Sequence, residues 1–229
     1  MAGLGGEAHV SFRYYLYISD AKVDMLLSQI DPGRTRRRAT EVSLRLSVVG
    51  AKRSVESTGP DRVARLERVV RHLQEHGDLG TVDEPGQFFW GLLPMQWGPI
   101  TTGGGTSLVY FGGRTERTIV GLGGSSGHVL GTPAATTQEP PLAHSMLPML
   151  LDGLATLLAE DDASESFEPA DGTALASVHQ AGARLRGPAQ NVEFIAKRLL
   201  QGPSPYPELD GREDMTVLLG SPLYVALAD

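Results

Sequence analysis

The chain contains no cysteine, which removes disulfides, thiolate zinc sites and cysteine nucleophiles together. It contains no run of about 18 apolar residues, so no stretch reads as a helix that spans a bilayer. Its first residues, MAGLGGEAHVSFRYYLY, lack both a basic start and a continuous apolar segment of signal-peptide length. Positive charge is in short supply: 20 Lys and Arg stand against 27 Asp and Glu, for a formal net charge of -7. Such a surface repels a phosphate backbone, and only the cluster Arg34, Arg36, Arg37 and Arg38 runs against it. These absences predict a cytoplasmic chain with no nucleic-acid partner and no membrane. No tandem repeat is visible either.

What is present suffices for a core, with 41% apolar residues in a chain of 229. After a glycine-rich leader over residues 1–8, residues 9–19 are rich in aromatic and β-branched side chains and predict a strand. Ser19 or Asp20 can cap the next element, a helix in which Val23, Leu26, Leu27 and Ile30 recur at helical spacing up to Asp31-Pro32-Gly33. Residues 41–57 alternate through Val42, Leu44, Leu46 and Val48 and predict a half-buried strand. Gly59-Pro60-Asp61 opens a second helix, with Val63, Leu66, Val69, Val70 and Leu73 on one face, ending at Gly77. Residues 87–100 hold both tryptophans and predict a strand that Pro94 and Pro99 place at an edge or interrupt.

Residues 108–111 and 118–122 then pair as a hairpin, with 128–130 as a further extended piece. The proline- and threonine-rich residues 132–141 mark a possible internal joint. A leucine-striped helix comes next, over 142–160, with Pro148 in its first turn or at a kink, and its stripe offers a homodimer face. Residues 175–186 and 190–200 predict two more helices, the second with Val192, Ile195, Ala196 and Leu199 on a face. Residues 215–219 and 223–227 read as two short strands parted by Gly220-Ser221-Pro222. This order lacks the regular alternation of a doubly wound sheet. It predicts a single α+β domain over residues 1–229, with a mixed or mainly antiparallel sheet and helices packed on one face.

Chemistry has few places to sit. Gly123-Gly124-Ser125-Ser126-Gly127 satisfies the hydrolase pentapeptide Gly-x-Ser-x-Gly, with Ser125 as nucleophile and His128, His144 or His179 as base, but residues 128–133 read as extended instead of helical. The same glycines, with Ser126, can instead cradle an anion through backbone N–H groups, or simply serve the turns and bulges of a twisted sheet. At the first strand-to-helix corner, Asp20 and Lys22 form either an acid–base couple or an ordinary capped helix start. His72 and His76 have the spacing of a metal pair, yet they lie on a polar helix face and no metal is expected. Phe89, Trp90 and Trp97 can wall a pocket for a planar or oily ligand, or fill the core.

Arg13-Tyr14-Tyr15-Leu16-Tyr17-Ile18-Ser19-Asp20-Ala21-Lys22-Val23-Asp24-Met25-Leu26-Leu27, the glycine segment from Gly123 to Gly131, residues 192–199 and Ser221-Pro222-Leu223-Tyr224-Val225-Ala226-Leu227 together resemble a family of uncharacterised actinobacterial proteins. The resemblance implies a bacterial, cytoplasmic, single-unit protein and transfers no catalytic residue. The residues themselves lead to a small-molecule-binding or regulatory protein, free of cofactor, whose pocket is walled by Phe89, Trp90, Trp97, Gly123 and Gly124, with His128 and Lys22 as polar contacts. A cofactor-independent enzyme using Ser125, or Asp20, Lys22 and His128, and a protein–protein interaction module are the alternatives.

Overall fold

Seven strands organise the residues that the computed structural model describes, 13–30, 59–76, 79–131, 146–159, 174–212 and 214–228. They are β1 (Tyr14–Ile18), β2 (Leu79–Thr81), β3 (Phe88–Thr101), β4 (Ser107–Arg114), β5 (Thr118–Ser125), β6 (Gln190–Pro203) and β7 (Thr216–Leu227). β3, β4 and β5 form an antiparallel meander; β5 lies parallel to β7, β7 antiparallel to β6, and β6 antiparallel to β3. That ring of five closes a barrel, to which β1 adds along β7 and β2 along β3. The sheet is therefore mixed, and strands from before and after residues 132–141 share one barrel. Residues 132–141 lie outside the described residues, as do the basic cluster at 34–38 and the strand expected over 41–57.

Long strands close the ring by serving different partners along their length. β3 pairs with β6 from Phe88 to Met95 and with β4 from Met95 to Thr101. Pro94 sits next to that handover, and Pro99 lies in the half whose second edge pairs with no strand among the described residues. A missing N–H costs least at such places, so β3 runs on where interruption was expected. β7 likewise lies against β5 from Thr216 to Gly220 and against β1 from Tyr224 to Leu227. Gly220-Ser221-Pro222 falls inside this one strand instead of parting two. A Cβ at Gly220 would stand 2.6 Å from Phe89 Cζ, so glycine there makes room for a core ring. Just beyond, Ile195 pairs with Tyr224 and Ala196 with Pro222, leaving Leu223 as a bulge.

The segment expected as a helix over 190–200 is β6. Val192, Phe194 and Ala196 point into the barrel while Ile195 points outward, a period of two that the helical spacing of Val192, Ile195 and Leu199 masks. Pairing on both sides, with β3 and β7, overrides local preference.

Five helices complete the described chain: α1 (Asp20–Ile30), α2 (Gly59–Glu75), α3 (Met146–Ala159), α4 (Ala174–Arg184) and the short α5 (Pro207–Asp210). The barrel interior is filled by Phe89, Met95, Phe111, Leu122, Phe194 and Val225. Outside it, α1 and α2 bury Val23, Leu66 and Val69 against Ile18, Phe88 and Leu223. A separate cluster seats Leu150 and Leu154 of α3 and Val178 of α4 on Leu108, Tyr110 and Leu219. The helices thus form two pairs over two patches of the barrel, where packing on one face was expected. Leu150 and Leu154 of the leucine stripe are buried in this packing, and Leu147, Leu151 and Leu157 are partly buried against it. No helix among the described residues is long and apolar enough to cross a membrane.

Candidate functional site

The bulge in β7 anchors the corner between β1 and α1. Ser19 N donates to Leu223 O at 2.8 Å, and Val23 N donates to Ser19 O at 3.0 Å, which makes Ser19 the residue that starts the helix. Within that first turn the Lys22 side chain folds back, its Nζ donating to Ser19 Oγ and to Pro222 O, both at 3.2 Å. Asp20 is held elsewhere. Its Oδ1 accepts from Arg62 Nε at 2.9 Å and its Oδ2 lies 2.8 Å from Arg62 Nη2, which also donates to Ile18 O at 2.6 Å. A second bridge, Arg65 to Asp24, ties α2 to α1 alongside it. Asp20 is therefore a clamp between helices, and the expected Asp20–Lys22 acid–base couple is not assembled.

Between α1, α2 and the outside of the barrel lies a cavity of about 590 Å³. Met25, Leu26, Val69, Phe88 and Leu223 give it apolar walls. Its polar lining is Lys22, Lys197, His72, His76, Gln29 and Gln87, with no carboxylate among the described residues. Burial, and then the charge of Lys197, pushes the Lys22 ammonium down from 10.5 to about 8. Lys197 reaches the cavity because it follows Ala196 in β6, where an inward residue gives way to an outward one. His72 and His76 stack with ring centroids 3.9 Å apart, and His76 Nδ1 lies 2.9 Å from the carbonyl oxygen of His72. Among the described residues no three His, Asp or Glu gather as metal ligands would.

Sequence reasoning picked Lys22 but missed Lys197 and the cavity. A signal was there: arginine outnumbers lysine heavily, and the chain has only three lysines, Lys22, Lys52 and Lys197. Two of the three meet at this cavity. Seventeen of the twenty Lys and Arg are arginines, whereas both cations at this cavity are compact ammonium groups on flexible stems.

The glycine segment is built for packing. Gly123 and Gly124 stand in the β5 ladder opposite Tyr110 and Val109. A Cβ at Gly123 would meet Leu150 Cγ at 2.9 Å, and one at Gly124 would meet Tyr17 Cζ at 2.8 Å. Ser125 ends the strand, nearly fully buried, and its Oγ accepts from Gly127 N at 3.2 Å. Ser126 Oγ donates to Ser107 O at 3.0 Å. A 3₁₀ turn of three residues, Ser126–His128, comes next, and then Val129 bridges to Tyr17. No helix opens after Ser125, so the strand-to-helix elbow of the hydrolase motif is missing. His128 sets its half-buried ring edge-on to Tyr17, at 5.8 Å between centroids, and does not line the cavity with Lys22.

The three aromatics do not wall one pocket: Phe89 and Trp97 pack with the barrel interior, and Trp90 faces the other way. Phe89 is inside the barrel, and Trp97 packs beside Phe111 at 6.0 Å between centroids. Trp90 is 45% exposed and lines a separate hollow of about 360 Å³ with Glu193 and Tyr224. Alternation along β3 sends neighbours to opposite sides, so adjacent ring residues seldom line one pocket.

Residues 13–229 match the model of a family of unknown function, DUF7019. The chain belongs to this family. The match begins at the residue before β1 and takes in every described strand and helix, so the DUF7019 region includes the whole barrel and both cavity lysines. No curated protein and no solved structure matches the chain. What a DUF7019 chain does has to be argued from its own residues.

Proposed function

We propose that this protein binds a small molecule, an anion with an apolar body, in the cavity between α1, α2 and the barrel, in a binding or regulatory role. One observation carries the reading: two of the three lysines line one cavity that has apolar walls and, among the described residues, no carboxylate in its lining. A volume of about 590 Å³ falls in the ordinary range of ligand sites. An anionic head group would relieve the repulsion between Lys22 and Lys197, and the apolar walls would take its chain. The reading needs no cofactor.

The five-strand path, a meander followed by two strands in exchanged order, is that of barrels that bind oligonucleotides or oligosaccharides across the strands corresponding to β4 and β5. Here α3 and α4 lie over that face, with Leu150 against Gly123 and Val178 against Gly121. Together with the net charge of -7 this weighs against nucleic acid and for a small ligand at the lysine cavity.

Thermal denaturation with straight-chain carboxylates of medium length, set against alcohols and trimethylammonium salts of equal chain length, tests the reading. A carboxylate at about 100 times its Kd adds about 2.7 kcal/mol, a rise of about 5 to 10 °C for a chain of this size. Equal shifts from all three head groups, or no shift, would remove it.

A further inference from the structure

We propose that Lys22 Nζ forms an imine with the carbonyl carbon of a ligand in this cavity, an aldehyde or oxo acid with an apolar chain. The inference rests on the cavity being a ligand site and adds a covalent step to it. Lys22 lines the space, and its Nζ has two acceptors fixed at 3.2 Å, Ser19 Oγ and Pro222 O. A neutral amine has two N–H bonds and one lone pair. Those two acceptors take the two N–H bonds and leave the lone pair for whatever occupies the cavity. The partial burial of Lys22, and then the charge of Lys197 beside it, disfavour the protonated form, the arrangement that makes a lysine nucleophilic toward carbonyl compounds. Of the twenty Lys and Arg only three are lysines, so an amine at this position is not the chain's default cation.

The step balances without an oxidant or reductant. The lone pair adds to the carbonyl carbon while the carbonyl oxygen takes a proton, giving a carbinolamine. Loss of the remaining amine proton and of that oxygen as one water leaves the C=N bond. The Ser19 hydroxyl is within hydrogen-bond reach of the nitrogen to relay protons. Lys197, on the wall of the same cavity, is placed to hold a carboxylate on the same ligand.

Reductive trapping with cyanoborohydride, followed by peptide mapping, tests this with octanal and 2-oxooctanoate as probes. The expected result is a reduced adduct on Lys22, formed at least about tenfold faster than on Lys52 because its amine is far more often neutral near pH 7. Its formation saturates with probe concentration and is competed by octanoate. Lys22→Met loses the adduct; Lys197→Met keeps it for octanal at a modestly lower rate, since burial still favours the neutral amine, and slows it further for 2-oxooctanoate, and this second variant serves if the first does not fold. Octanoate binding without a Lys22 adduct overturns the imine step and leaves the binding site standing. Adducts spread over Lys52 and the α-amino group, with no octanoate binding, overturn both.

Discussion

Lys22, in the first turn of α1, donates its Nζ to the carbonyl oxygen of Pro222 at 3.2 Å, 200 positions further along the chain. The bulge at Leu223 lies next to this contact, and the same bulge offers its own carbonyl to Ser19 N. A strand irregularity thus positions both the start of a helix and the amine at the cavity.

That placement makes stability depend on pH in a definite direction. The Lys22 amine titrates at about 8 when folded, against 10.5 ordinarily. Below pH 8 folded and unfolded chains both hold the proton, and the partly buried charge lowers stability. From about 8 to 10.5 the unfolded chain keeps a proton that the folded chain has released, so stability rises with pH, by about 2 kcal/mol between pH 8 and 10. Lys197, His72 and His76 face the same cavity and are the other titratable groups around the amine. Above pH 10 the trend reverses. Burial raises Tyr15, Tyr110 and Tyr224, so the unfolded tyrosines ionise first. Urea midpoints measured at pH 7, 8, 9 and 10 read the slope, and Lys22→Met flattens it.

The two helices over the cavity are joined to the corner by Asp20 and Arg62. Both are partly exposed, so the ion pair itself is worth little in water, but Arg62 also satisfies the Ile18 carbonyl. A double-mutant cycle with Asp20→Asn and Arg62→Gln is expected to give a coupling of about 0.5 to 1 kcal/mol that shrinks in high salt. A coupling near zero would contradict the clamp.

At Gly124 the would-be Cβ meets the Tyr17 ring from Cζ outward. Gly124→Ala therefore overpacks the barrel interior at a cost of about 1 to 3 kcal/mol, and adding Tyr17→Phe recovers part of it by removing the hydroxyl. Ligand affinity at the lysine cavity stays unchanged in both variants. If Gly124→Ala abolished binding at full stability, the glycine segment would have to be a ligand cradle after all.

Ser125 is buried, and its short turn leads into an extended segment. A fluorophosphonate probe is expected to leave the protein unlabelled, and Ser125→Ala to cost about 1 kcal/mol through the lost cap. Labelling that disappears with this substitution would restore the hydrolase reading.

The corner that carries Lys22 was legible because its signals are local: a run of aromatics, a short polar residue at the helix start, then apolar residues at helical spacing. The β4–β5 hairpin was legible for the same reason. β6 was not. Its residues fit a helix and a strand equally well, and the decision came from β3 and β7, far away in the chain. β7 misled in the opposite sense, since Gly220 and Pro222 punctuate a loop in most sequences but here make room for Phe89 and flank a bulge. The cavity depends on both misread strands, through Lys197 and Leu223, so the scarcity of lysine marks the residues while only the barrel brings them together.

Isothermal titration calorimetry of octanoate into the wild-type chain, Lys22→Met and Lys197→Met puts the lysine cavity to the most direct test. Saturable binding at one site per chain is expected, weakened by at least about tenfold in each variant through loss of a partly buried charge contact. Absence of binding to the wild type, or equal affinity in all three proteins, would contradict the assignment of this cavity as the ligand site.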